Sequence, residues 1–310
     1  MRPRYWLLTT LSTILIATAA IAALNIAVDI YGLYRPSRGR RLNILGDDRV
    51  AKYLLSMRYV PENFNAVLTG GSVSANWDVT AIEGLRVYNG SLDGGNIIEE
   101  KALLEAALER PGVSVILLLV NPALTYSHEF QTVEMKPDLK RSALGSLSLW
   151  NAYKHMLSIR IGRIPRTFDY AGTETFLNAR SEMNLNMKEM WSALEFTVDP
   201  VALQAHRDLV ANLRARGVQI VFIVPPVSEH LLETKRAPLE RYLHRMRSEI
   251  GTGDLWIDFL APEGEAFCKT RANFSDGVHL TPDGARQVVA QINAAVNRWI
   301  TERRLVVAKR

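Results

Sequence analysis

Val113-Ser114-Val115-Ile116-Leu117-Leu118-Leu119-Val120 is the stretch that decides the fold. One polar residue among eight, with no alternation, describes a strand buried on both faces, the habit of strands inside a parallel sheet. Upstream, Asn96 to Arg110 carries Ile97, Leu104 and Leu108 at helical spacing, and Pro111–Gly112 closes it. Before that helix, Arg86 to Tyr88 reads as a short strand running into the turn-rich Asn89–Gly95. Phe64 to Thr69 is another apolar run, stopped by Gly70. Downstream the rhythm returns. Pro200 to Arg216 predicts a helix ended by Gly217, and Val218 to Val224 a strand ended by Pro225–Pro226. Ala237 to Ile250 predicts a helix, Leu255 to Phe259 a strand, and Pro282 to Arg303 a final helix. Strand–helix alternation with short links builds a parallel sheet covered by helices on both sides. In such sheets a ligand sits beyond the carboxyl ends of the strands.

Residues 123–199 break that rhythm. They hold no convincing strand and one helix, around Leu149 to Ile159, rich in Trp, Tyr and Met. An insertion after a strand end serves either as a lid over a site or as a cover for one sheet face.

The N-terminus has a different character. Trp6 to Val28 contains no charged residue, and about 20 such residues span a bilayer core. Arg2 and Arg4 precede the run, while Tyr5, Trp6, Tyr31 and Tyr34 sit at its ends as interfacial aromatics do. Small residues at Ala17-Thr18-Ala19 and Ala20-Ile21-Ala22 also suit a cleaved signal peptide. Because the apolar run continues to Val28, a retained anchor is the reading adopted. The expected organisation is an anchor over residues 1–35, a polar, arginine-rich connector over 36–63, and an α/β domain over 64–310. Arg35, Arg38, Arg40 and Arg41 outnumber Arg2 and Arg4, so loop charge alone would keep the domain cytoplasmic.

Composition narrows the function classes. A net charge of +5 without a concentrated basic stripe argues against nucleic acid as a partner. Cys268 is the only cysteine, which excludes an internal disulfide and a multi-cysteine metal site. His128, His155, His206, His230 and His244 show no ligand spacing and read as surface or core residues. No Gly-x-Gly-x-x-Gly follows the first strand, so no dinucleotide is expected. Neither a cofactor nor a metal is called for.

Two segments carry chemistry. Gly70-Gly71-Ser72 follows directly on a strand, where glycine permits the tight turn that exposes a hydroxyl at the top of the sheet. The second is Ser275-Asp276-Gly277-Val278-His279-Leu280-Thr281-Pro282-Asp283-Gly284. Thr281 and Pro282 make a helix start, threonine as cap and proline in the first turn. His279 therefore lies on a loop, and Asp276 can turn back to accept its Nδ1–H, which frees Nε2 to take a proton from a serine. Ser74 is the rival nucleophile, although farther from the strand end. Gly-x-Ser-x-Gly is not satisfied, because position 74 is serine.

These blocks resemble those of the SGNH (GDSL-like) hydrolase superfamily, in particular its anchored branch related to polysaccharide and alginate O-acetylation proteins. Gly70–Ser72 matches the family's Gly-x-Ser block, with Gly71 where an acid is usual. Asp276 to Gly284 matches its Asp-x-x-His block and the helix start after it. The resemblance implies a flavodoxin-like three-layer α/β sandwich with a central parallel sheet, and an exported domain in spite of the loop charges. It implies an oxyanion hole from the Ser72 N–H, Gly94 (Gly95 as fallback) and Asn121, which lacks the family's preceding Gly-x pair. The activity implied is an esterase or O-acyltransferase acting on acyl, in particular acetyl, esters of an envelope or extracellular polysaccharide. Ser72, His279 and Asp276 would be its catalytic residues, and an envelope biosynthesis complex its setting. The alternative is a non-catalytic SGNH-like domain that binds polysaccharide or acts as a scaffold.

Overall fold

A computed structural model describes residues 3–129, 135–136, 138–175 and 196–308. Five parallel strands form one sheet: β1 (Ala66–Thr69), β2 (Val87–Asn89), β3 (Val115–Leu119), β4 (Gln219–Val224) and β5 (Leu255–Asp258). Their order is β2-β1-β3-β4-β5, the flavodoxin-like order. β3 occupies the centre, with Leu117 in register with Leu68 of β1 and with Val221 of β4. All five of its residues are buried, as its unbroken apolar run requires. β5 is half-buried and forms an edge. The chain leaves β1 toward β2 and returns on the other side as β3, so the connections diverge between β1 and β3. Such a switch point leaves a crevice at the strand ends.

The helices follow from the same patterning. α4 (Ile97–Ala107) begins with a capping box, in which Asn96 accepts from Ile98 and Glu99 N–H while Glu99 reaches back to the Asn96 N–H. It packs on α8 (Pro200–Ala215), which Asp199 caps. The last helix, α10 (Pro282–Ala308), lies against β5. Between them, α9 spans Glu229–Arg247 and starts eight residues before the expected Ala237. Pro238, which reads as a helix start, sits inside this helix. Buried Leu231 and Leu232 hold its first turns against the core.

Residues 36–63 are more than a connector. α2 (Asp48–Ser56) and α3 (Tyr59–Asn63) lie here, with Leu54, Leu55, Tyr59 and Val60 in the core. Their apolar run is too short to announce a helix, but it is amphipathic and packs on α4. The apolar N-terminal helix also ends before residue 35. α1 (Pro3–Val28) is exposed along nearly all its length and long and apolar enough to cross a bilayer. From Ile30 the chain enters the core. Asp29, at φ +49°, accepts hydrogen bonds from Leu33, Tyr34 and Arg35 N–H and fixes this sharp exit.

The insertion contains α5 (Pro122–Thr125), α6 (Leu139–Ser142) and α7 (Leu147–Arg160). After α7 a short antiparallel bridge, Phe168 to Glu174, packs back on the sheet. Ala171 O accepts from Asn89 N–H at 2.6 Å and Ala75 O from Glu174 N–H at 2.7 Å. Residues 176–195 of the insertion, expected as a lid or as a cover for one sheet face, lie outside the described residues.

Candidate active site

Ser72 stands three residues beyond β1, at the start of a 3₁₀ turn, Ser72–Ser74, and is half-buried. Gly70 makes this turn possible. A Cβ there would collide with Ser74 Oγ and come within 2.9 Å of the Leu119 side chain. Position 71 is open by comparison, its nearest neighbour Leu124 at 3.8 Å. The rival Ser74 is fully buried, with its hydroxyl bonded to Ser91 Oγ at 2.8 Å, and is structural.

His279 reaches this turn from the far end of the chain. Its Nε2 is 2.8 Å from Ser72 Oγ, across 207 residues of sequence. Nδ1 is 2.6 Å from Asp276 Oδ2. The second oxygen, Asp276 Oδ1, accepts from Val278 N–H at 2.8 Å and His279 N–H at 2.7 Å. The carboxylate is therefore oriented before it meets the ring, and Nδ1–H facing it leaves Nε2 as the acceptor. Burial would raise the Asp276 carboxyl, but the hydrogen bond and charge of His279 and the two N–H groups outweigh it. The net position is below the usual carboxylate range.

The loop itself is clamped. Asn76 Nδ2 donates to Leu280 O at 2.9 Å and ties the His279 loop to the Ser72 turn. Ser275 N–H and Oγ both donate to His279 O. Gly277 presses against Leu231 so closely that a Cβ would overlap it, and Ser228 N–H donates to Gly277 O. Thr281 Oγ1 accepts from Gly284 N–H, the cap expected at this helix start.

The remaining expected residues divide. Neither the Ser72 N–H nor the Gly94 N–H is used by an acceptor among the described residues. Gly94 is at φ +58° in the 90–95 loop, whose Leu92 N–H binds Gly70 O at 2.8 Å. Gly95 N–H is taken by Leu92 O within the turn, which removes the fallback. Asn121 caps α5, its Oδ1 accepting from Ala123 N–H at 2.9 Å, so its amide NH₂ is the group left to donate. Asn121 also lines a narrow apolar cavity with Val73, Val120, Val224, Leu231 and Val278. Two of these residues adjoin Ser72 and His279 in sequence.

A supporting network went unread in the sequence. Asn89, fully buried at the end of β2, donates to Ser74, Ala75 and Trp77 O and accepts from Ser91 N–H. One side chain thus braces both the nucleophile turn and the 90–95 loop. Lys52 of α2 is also fully buried and donates to Ser91 O at 2.5 Å. Burial lowers its ammonium to about 8, with Asp48, Glu174, Asp169 and Asp93 opposing. One turn away, Arg49 binds both Glu99 oxygens at 2.6 Å and donates to Asp93 O. Neither cation is legible from residues 36–63 alone, because its carbonyl partners come from a loop about 40 residues on. Among the described residues no group of three or more His, Cys, Asp or Glu could hold a metal ion.

No family model matches the chain, and no curated protein matches it. Several solved structures of lipolytic hydrolases are similar. A structure assigned as an acylhydrolase from Bacteroides fragilis is 12% identical, with 75% of this chain and 86% of that one covered and a TM-score of 0.41. A G-D-S-L family lipolytic protein from Desulfitobacterium hafniense is 10% identical, over 74% of this chain and 99% of that one, at 0.39. A GDSL-like lipase from Bacteroides thetaiotaomicron is 10% identical, over 76% and 87%, at 0.38. With TM-scores below 0.5, the functional reading rests on the geometry joining Ser72, His279 and Asp276.

Proposed function

We propose that this chain is a membrane-anchored serine esterase or O-acyltransferase that acts on short acyl esters of an envelope or extracellular polysaccharide. The observation that carries this reading is the unbroken hydrogen-bond chain from Asp276 through His279 to Ser72. His279 Nε2 takes the hydroxyl proton as Ser72 Oγ attacks the ester carbonyl. The oxyanion is received by the Ser72 and Gly94 N–H groups and the Asn121 amide, the donors without another acceptor. Collapse breaks the ester bond, and the leaving alcohol takes the proton back from Nε2. Water or a sugar hydroxyl then repeats the sequence on the Ser72 ester, giving hydrolysis or transfer.

The cavity beside Asn121 supports a short acyl group. Its volume is about 20 Å³, room for little more than one water-sized group. A group the size of an acetyl methyl suits that space. Retention of α1 as the anchor and export of the domain complete the reading, with an envelope biosynthesis complex as its setting.

A fluorophosphonate probe tests the nucleophile: wild type should label, and Ser72→Ala should not. Hydrolysis of p-nitrophenyl acetate should exceed that of longer esters. Failure of the folded protein to label under conditions that label a control serine esterase would overturn the covalent mechanism.

A further inference from the structure

The insertion presents an apolar stripe to solvent. Leu147, Trp150, Leu157 and Ile161 are exposed, Leu147 by 76% and Trp150 by 60%, and Ile164 follows them. With Lys154 they recur at offsets of three and four along α7 and just past its end, which places them on one helical face. The opposite face is anchored. Leu149 and Ala152 are buried, and His155 Nδ1 accepts from Gly46 N–H at 3.1 Å. The stripe is therefore held outward by a helix that is firmly docked on its other side.

Its position is set by contact with α1. Asn25, the only amide in the apolar run, is buried, and its Nδ2 donates to Leu144 O at 2.6 Å. Its Oδ1 accepts from Tyr153 OH at 3.0 Å. A Cβ on Gly145 would sit 3.7 Å from the Ile21 side chain. Ile21 lies seven residues inside the end of α1, about 10 Å at 1.5 Å per residue. If α1 spans a bilayer from Trp6, Ile21 lies about 22 Å into a core of about 30 Å, which sets the start of α7 about 8 Å inside the far boundary, within the depth of about 5–10 Å at which interfacial helices lie. Charge agrees with that place. From Leu139 to Thr167 there is no Asp or Glu, whereas Lys140, Arg141, Lys154, Arg160, Arg163 and Arg166 are all exposed. An apolar face flanked by basic residues is the composition of a helix lying in the plane of an anionic membrane surface.

We propose that α7 is a second membrane contact: it lies in the interface beside α1, with Leu147, Trp150, Leu157 and Ile161 in lipid and its basic residues on anionic headgroups. This rests on the reading of α1 as a retained span. Two attachments hold the domain in one orientation to the bilayer, where a single helix and loop would let it swivel.

Spin labels on the full-length chain in lipid vesicles test this. Single cysteines are placed at Trp150, Leu157 and Ile161, with Leu15 as the span reference and Gln204 as the exposed reference; native Cys268 is buried. In phosphatidylcholine–phosphatidylglycerol vesicles, nickel-chelate collision at the three α7 positions should fall several-fold below that at Gln204, with oxygen collision retained. The protection should weaken in phosphatidylcholine alone. Leu15 protected while all three α7 labels match Gln204 would overturn the proposal and leave the anchor intact. Dipolar broadening among α7 labels would overturn it in favour of a second copy of the chain. Leu15 open to nickel would remove the anchor reading and the proposal together.

Discussion

Among the described residues two imidazole–carboxylate pairs have nearly the same geometry, and they differ in what they can do. His128 Nδ1 lies 2.7 Å from Asp199 Oδ2, and His279 Nδ1 lies 2.6 Å from Asp276 Oδ2. Each carboxylate also accepts backbone N–H groups, Asp199 from Val201, Ala202 and His128, Asp276 from Val278 and His279. Both carboxyls are held below their ordinary range. For Asp199 the His128 hydrogen bond is the main cause and the value about 2; for Asp276 burial opposes, and its hydrogen bonds prevail. The difference is the third member. His279 is largely covered and its Nε2 meets a serine hydroxyl; the His128 side chain is 38% exposed, with no hydroxyl bonded to its ring among the described residues. A paired imidazole becomes a base only where the fold supplies something to deprotonate. At the start of α8 the same pair is a helix cap.

Removing one histidine at a time separates the two pairs most decisively. His279→Ala and Ser72→Ala should each lower kcat/KM on an acetyl ester by about 10⁶-fold, while His128→Ala should leave it within about twofold. Equal losses would erase the distinction. Asp276→Asn comes next, at about 10⁴-fold, because the ring loses the partner that sets its tautomer. Asp199→Asn should leave kcat unchanged and lower the melting temperature, read by circular dichroism. Asn121→Ser keeps an oxygen for the α5 cap and removes the amide, and should lower kcat by about 10²-fold at unchanged stability.

A third carboxyl supplies the smallest effect. Glu100 is fully buried, and burial pushes it up to about 8, with Glu99 adding and Thr69 opposing. A raised carboxyl stabilises fully below its unfolded value, near 4.5, and loses that contribution as pH rises through about 8. Glu100→Gln should flatten this part of the urea-unfolding pH profile relative to wild type. The paired Asp276 acts in the opposite sense, contributing above the ordinary carboxylate pKa and losing that as pH falls below it.

The amount legible in advance varied with locality. All five strands were readable: β1, β3 and β4 are buried on both faces and so almost wholly apolar, while the shorter β2 and the half-buried edge β5 are apolar stretches bounded by turn residues. The His279 loop was readable because Asp276, Thr281 and Pro282 act within a few residues. α2 was missed because its apolar run is short and its stability comes from packing on α4. Asn89 and Lys52 were missed for a related reason. An asparagine at a strand end and a lysine among polar residues look ordinary until their partners are brought to them.

Periodicity, capping and turn preference are local, and they suffice for the parallel α/β sheet, the apolar N-terminal helix and the residues able to carry the chemistry. That Ser72 and not Ser74 meets His279, that Asn89 braces the turn around it while Lys52 holds the 90–95 loop, and that α7 flanks α1 follow from the packing of distant segments. Those pairings are set by which strand ends and helix faces come together, and side chains about 10 to more than 200 residues apart carry no mutual signal until they do.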